Sequence, residues 1–312
     1  MMAGKREENP AGSSNNLRGD VLGVLKVATA EQIQQIALPH LSYRHTDKPT
    51  PSKRKQARTA SHTGALSDLH KHGLAENGGQ LPGGDTLRNL TPMGLKTAAR
   101  ELGRPVGETG NPARGAGRTG ASHPMTVNEA ALALQRPKPD LAQLTGEPAD
   151  VLAAAQAAVD APAGLGTIAS YATEVALPTT GTWSNSDRGG AQADIVITSP
   201  EDGVPLLFVE IDNCHESAQV LAAKIDKYMR FCQRKVKDVD GTERPMWRTR
   251  WWAPDGRHGD QPHPPLLLVF NRASSRNPHT VSAQLAELTR RHWQGTAYCC
   301  DREGSPGLPG RQ

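Results

Sequence analysis

The sequence predicts an α/β protein of two modules: a small helical module with a hairpin, then a mixed sheet flanked by helices. Three observations carry this. Residues 17–102 combine helical apolar periodicity with glycine and proline punctuation. Residues 103–121 form a flexible linker, with six glycines and two prolines between 103 and 120. From 122 to 302, apolar runs of strand length alternate with helix-length segments. A chain of 312 residues has room for both modules. The tails, 1–16 and 303–312, read as disordered.

In the first module, Val21, Leu22, Val24, Leu25 and Val27 space an amphipathic helix. Thr29, followed by Ala30, Glu31 and Gln32, is an N-cap signal for a second helix that turns Ile33 and Ile36 inward. Ser52 opens a long helix with a basic first half (Lys53, Arg54, Lys55, Arg58) and an apolar second half (Ala65, Leu66, Leu69). Gly73 ends it. Segments 74–76 and 86–90 are set to pair as a hairpin, and Thr91-Pro92 caps a last helix to Leu102.

Helix, helix, basic helix, hairpin, helix is the order of a winged helix-turn-helix, with the third helix in the major groove. Between Arg44 and His72, seven Lys/Arg and four His stand against two Asp. That asymmetry at the place of a recognition helix favours double-stranded DNA over a plain solvated face. Arg44, Lys53, Arg54, Lys55, Arg58 and His62 are the expected contacts.

In the second module, 124–134 and 148–161 read as helices, while 167–178 (TIASYATEVALP) is ambiguous between helix and strand. Then come a strand at 193–198 (ADIVIT), a turn at 200–203, and a strand at 205–212 (PLLFVEID). A helix at 215–234, a buried strand at 266–270 (LLLVF), a helix at 278–293 and a short strand at 296–300 complete the mixed sheet and its helices. The run 246–252 (MWRTRWW) reads either as a stacking surface for bases or as a local core under a loop.

Several function classes drop out. No apolar run reaches the roughly 20 residues of a membrane span, and the N-terminus lacks a signal-peptide core, so a cytoplasmic protein is expected. Cys214, Cys232, Cys299 and Cys300 have no zinc-ligand spacing. No phosphate-binding G-x-x-x-x-G-K-[ST] occurs. The match GAGRTG at 115–120 lacks the preceding strand that a dinucleotide loop needs. The His-hydrophobic-His pair of rolling-circle relaxases is missing.

What remains is an acidic constellation. Residues two apart on a strand share a face, so Phe208, Glu210 and Asp212 point one way and Leu207, Val209 and Ile211 the other. Asp194 stands on the partner strand. Carboxylates in apolar strands are costly unless paired or metal-bound. Asp194 and Glu210 are the expected metal ligands, with the Ile211 carbonyl a third, for Mg²⁺ or Mn²⁺ in its place. Lys224 lies beside the buried stripe of the next helix, from which it can reach back to the sheet, and Glu174 is a further member. The plainer alternative makes Asp194 and Asp212 strand-end residues and Lys224 a surface lysine.

These residues resemble a known family. An acidic residue, a turn, an apolar strand ending in Glu-x-Lys and a helix form the core of PD-(D/E)XK nucleases. The run from ADIVI through LLFVEIDNCHES to LAAKIDKYMRF is similar to the bacterial replication-relaxation family of actinobacterial plasmids, phages and conjugative elements. The matching residues are Glu210 and Asp212, His215-Glu216-Ser217, Lys224 with Tyr228, and the Leu-Thr-Pro-x-Gly at 90–94.

The resemblance implies a winged helix joined to a PD-(D/E)XK-like domain, acting on plasmid or mobile-element DNA in replication, relaxation or mobilisation, with other replication or mobilisation proteins as partners. Asp212 departs from the nuclease pattern, since it stands where a nuclease carries lysine. Two readings stay open. One is a metal-dependent nuclease or nickase using Glu174, Asp194, Glu210, Asp212 and a relocated Lys224. The other is a non-catalytic DNA-binding regulator that keeps the fold as a scaffold.

Overall fold

The computed structural model describes residues 14–104, 122–162, 170–183, 190–199, 204–251, 263–271 and 276–292. Residues 1–13, most of the expected linker, the C-terminal tail, the expected strand at 296–300, Trp252, Cys299 and Cys300 lie outside the described residues, while 14–16 of the expected N-terminal tail open the first helix instead. Within them the protein is a mixed α/β structure.

The first half runs α1 (Ser14–Leu25), β1 (Val27–Thr29), α2 (Ala30–Ala37), a 3-10 turn, α3 (Pro51–Lys71), β2 (Ala75–Gln80), β3 (Thr86–Leu90) and α4 (Pro92–Glu101). Thr29 starts α2 with a full capping box: its hydroxyl accepts the Gln32 N–H, and the Gln32 side chain accepts the Thr29 N–H. Helix α3 begins earlier than expected, because Thr50 caps it and Pro51 takes the first helical position. Its end is a Schellman motif. Gly73 adopts φ 69°, the Leu74 N–H reaches the Leu69 carbonyl at 2.8 Å, and the Gly73 N–H reaches His70 at 2.9 Å.

Strand β1 is a departure from expectation. It pairs antiparallel with β3, giving a three-stranded sheet of order β1-β3-β2. All three of its residues are buried, so no polar–apolar alternation marks it. Leu22, Leu25, Ile33, Leu66, Leu90 and Leu95 fill the core below.

The second half runs α5 (Ser122–Gln135), α6 (Ala149–Asp160), β4 (Ser170–Leu177), β5 (Ala191–Ser199), β6 (Val204–Asp212), α7 (Ala218–Cys232), β7 (Lys235–Lys237), β8 (Glu243–Pro245), β9 (Leu266–Phe270) and α8 (Pro278–Thr289). Within the ambiguous 167–178 stretch, Ser170–Leu177 is strand β4. The principal sheet has the order β4-β5-β6-β9; its first three strands are antiparallel, and β6 and β9 are parallel. Helix α7 starts at Ala218, capped by Ser217, three residues after the expected 215.

Strand alternation divides the sheet between two cores. Leu206 and Phe208 face α7 and α8, against Leu221, Ile225, Met229 and Leu285. Leu207, Val209 and Ile211 face α5, against Val127 and Ala131. Met246, Trp247 and Trp251 of the tryptophan-rich run belong to the first of these cores. Trp247 is buried, and the Trp251 ring meets Trp183 and Phe208 edge-on, which favours the local-core reading.

Helix α5 also touches the first half. Asn128 on α5 donates to the Val27 carbonyl at 2.7 Å and to Gln32 at 3.1 Å. Thr173 on β4 donates to the Val24 carbonyl at 2.7 Å. Among the described residues no helix is long and apolar enough to cross a membrane.

Candidate functional site

The acidic residues meet where β4, β5 and β6 lie side by side, with α7 on one face of the sheet and α5 on the other. Asp194, Glu210 and Asp212 are each at most 5% exposed. A buried carboxylate needs partners, and each finds different ones.

Asp194 is held from two sides. Its Oδ2 accepts the Ile211 N–H at 2.7 Å, and its Oδ1 lies 3.0 Å from His123 Nε2. The Ile211 N–H thus orients Asp194, a part that sequence reasoning did not assign to it. Glu210 has both oxygens engaged, Oε1 by the Lys224 ammonium at 2.6 Å and Oε2 by the Tyr228 hydroxyl at 2.9 Å. Lys224 also pairs with Glu216 at 3.0 Å. The helical step from Lys224 to Tyr228 is one turn, so both reach the same carboxylate from α7.

Glu174 faces Asp194 from β4. Its Oε2 accepts from Gln192, while its Oε1 is buried with no partner among the described residues. Its backbone sits at φ 52°, a left-handed conformation that is costly for a non-glycine residue. Asp212 stands apart. Its Oδ1 accepts the Glu216 N–H at 3.4 Å, so it braces the turn into α7.

Electrostatics follow the crowding. Burial, then the Asp194 charge, pushes the Glu210 carboxyl above its ordinary pKa, against the pull of Lys224 and Tyr228. Burial opposes the Lys224 ammonium, but Glu210 and Glu216 outweigh it and hold its pKa above the usual lysine value. Glu174 is raised by burial and by Asp194. His123 is raised chiefly by its hydrogen bond to Asp194.

The donor set fits a divalent cation. One ligand atom each from His123, Glu174 and Asp194 lies within 4.8 Å of the others, and the unpartnered Glu174 oxygen is what an ion would satisfy. Of the expected pair, Asp194 belongs to this group, whereas Glu210 is committed to Lys224 and Tyr228. Sequence reasoning missed His123 and Gln192. Gln192 shares strand parity with Asp194, a usable signal; a lone histidine at the start of a helix carries none.

The basic face of α3 is mixed. Lys53 is exposed. Arg54 Nε donates to the Lys48 carbonyl and Arg58 Nε to the Arg44 carbonyl, and neither has a carboxylate partner among the described residues. Lys55, by contrast, is paired with Glu31 at 2.7 Å and Asp85 at 2.6 Å. Arg44 lies 3.4 Å from Glu147. The expectation for His62 is corrected: it is fully buried, with Nδ1 accepting from Arg18 Nε at 3.0 Å. A core histidine is out of reach of a phosphate.

Compared with known proteins, the chain matches the replication-relaxation family model over residues 20–243, from α1 through the start of β8. No curated protein and no solved structure matches it.

Proposed function

The chain belongs to the replication-relaxation family, and from that premise we propose that it binds duplex DNA of a plasmid or mobile element and nicks it in a metal-dependent step. In this reading residues 17–102 are a winged helix-turn-helix, with α3 as the recognition helix and the β2–β3 hairpin as the wing. Residues 122–302 are a PD-(D/E)XK-like domain joined to it by the 103–121 segment. Other replication or mobilisation proteins are the natural partners.

The observation that carries the nicking proposal is the Lys224 ammonium, 2.6 Å from Glu210. It supplies from α7 the positive charge that Asp212 denies to the strand. Lys224 is half-buried, so its charge acts on a phosphate in a medium less screened than water. Tyr228 fixes the Glu210 carboxylate and the Ile211 N–H fixes Asp194, so neither has to reorganise when substrate arrives. Mg²⁺ or Mn²⁺ held at Asp194 and Glu174 would lower the pKa of a water and offset charge on the phosphate.

The scaffold reading has its own support, because Lys224 is shared between two carboxylates and Asp212 braces a turn. A supercoiled-plasmid assay with Mg²⁺ or Mn²⁺ separates the two. Nicking by the wild type, reduced on the order of 10²-fold or more in Asp194→Ala, Glu210→Ala and Lys224→Ala, is expected. Duplex binding without nicking under either ion would sink the enzymatic reading in favour of a DNA-binding regulator.

A further inference from the structure

His123 reaches the acidic residues from the other side of the sheet. It is the second residue of α5, and its Nε2 stands 3.0 Å from Asp194 Oδ1. Two donors bound to one ion at about 2.1 Å lie roughly 3 Å apart. The existing His123–Asp194 spacing therefore matches one edge of a coordination shell, with the ion taking the place of the proton the two groups share. Glu174 completes a group of three from three separate elements, all within 4.8 Å. Its buried, unpartnered Oε1 is an independent sign that something is missing from the group. The His123 side chain is 38% exposed, which leaves an open side for water or a phosphate oxygen.

We infer that His123 is a metal ligand, so that one imidazole nitrogen joins the carboxylates of Glu174 and Asp194 in a site that takes a first-row transition ion such as Mn²⁺ in preference to Mg²⁺. The inference rests on the metal-site reading proposed above and adds to it a donor and an ion class. All-oxygen sites suit Mg²⁺, which gives up its waters reluctantly, whereas an imidazole nitrogen favours Mn²⁺, Co²⁺ or Zn²⁺. The position of α5 makes the ligand dependable. Asn128, one and a half turns along the same helix, ties it to the Val27 carbonyl and Gln32 of the first half.

The test is pulsed electron paramagnetic resonance of Mn²⁺ bound to the full-length protein, with Mg²⁺ competition to rank the ions. The wild type is expected to show ¹⁴N coupling from a directly bound imidazole and to bind Mn²⁺ more tightly than Mg²⁺. His123→Gln and His123→Ala should lose that coupling and bind Mn²⁺ about tenfold more weakly, with unchanged circular dichroism. Coupling that persists in both variants, or its absence from wild type that still binds Mn²⁺, overturns the histidine ligand while the metal site stands. Failure of the wild type to bind either ion overturns both.

Discussion

Arg18 and His62 show how a single protonation state can hold up a helical core. Arg18 is 2% exposed and His62 is fully buried, and the Arg18 Nε–H needs an unprotonated His62 Nδ1 to donate to. Burial, then the Arg18 charge, pushes the histidine pKa down to about 4 from 6.5. In the unfolded chain His62 takes up its proton as pH falls through 6.5, while the folded protein resists it until about 4. Stability is therefore fully present above 6.5 and is lost progressively toward 4, by up to about 3 kcal/mol. Urea unfolding at pH 7.5 and pH 5 should register the drop. His62→Gln should be less stable at pH 7.5, because it disturbs a buried donor, yet show a flatter pH dependence. An unchanged slope in that variant would assign the effect to other groups. Nothing in the sequence distinguished this histidine from its basic neighbours; the packing of α1 on α3 did.

At the scale of elements, residues 90–94 join the hairpin to α4, and four of the five have separate tasks. Leu90 is in the core. The Thr91 N–H donates to the Leu74 carbonyl at 3.0 Å, and its hydroxyl accepts the Gly94 N–H at 3.1 Å to cap α4. Pro92 takes the first helical position. Gly94 is required by space, since a Cβ there would sit 1.9 Å from the Leu74 carbonyl oxygen. Thr91→Ala should cost about 1 kcal/mol, the value of a cap. Gly94→Ala should cost more, about 3 kcal/mol, because backbone must move. Thermal unfolding of the two variants checks the order, and a Gly94→Ala protein as stable as Thr91→Ala would mean α4 shifts freely. The cap and the proline were readable in the sequence; the reason for the glycine lies across the hairpin.

Across the whole molecule, the net charge of +4 says less than its distribution. Phosphates are expected to be met by Lys53, Arg54 and Arg58, which lack carboxylate partners among the described residues, more than by Lys55, which Glu31 and Asp85 already neutralise. Changing the first three to Ala should weaken duplex binding and flatten its salt dependence, by nearly one unit of log–log slope for each phosphate left without its cation. Lys55→Ala should change that slope little. Affinities measured between 50 and 200 mM salt would decide, and a Lys55→Ala slope change equal to that of Arg58→Ala would refute the charge assignment.

The sequence by itself determined the helices with strong caps, the apolar strands and the face on which Glu210 lies, because each is written in residues a few positions apart. Thr29 with Gln32, the 3.6-residue spacing within α7 and the two-residue parity of β6 are of this kind. Only the tertiary structure decided what those elements bring together. It placed Lys224 on Glu210, turned Asp212 into a turn brace and withdrew His62 into the core. It also set His123 against Asp194, 71 residues away. The physical reason is that buried charges choose partners across space: a carboxylate inside a sheet is satisfied by whichever donor the packed helices deliver, and no local pattern names that donor in advance.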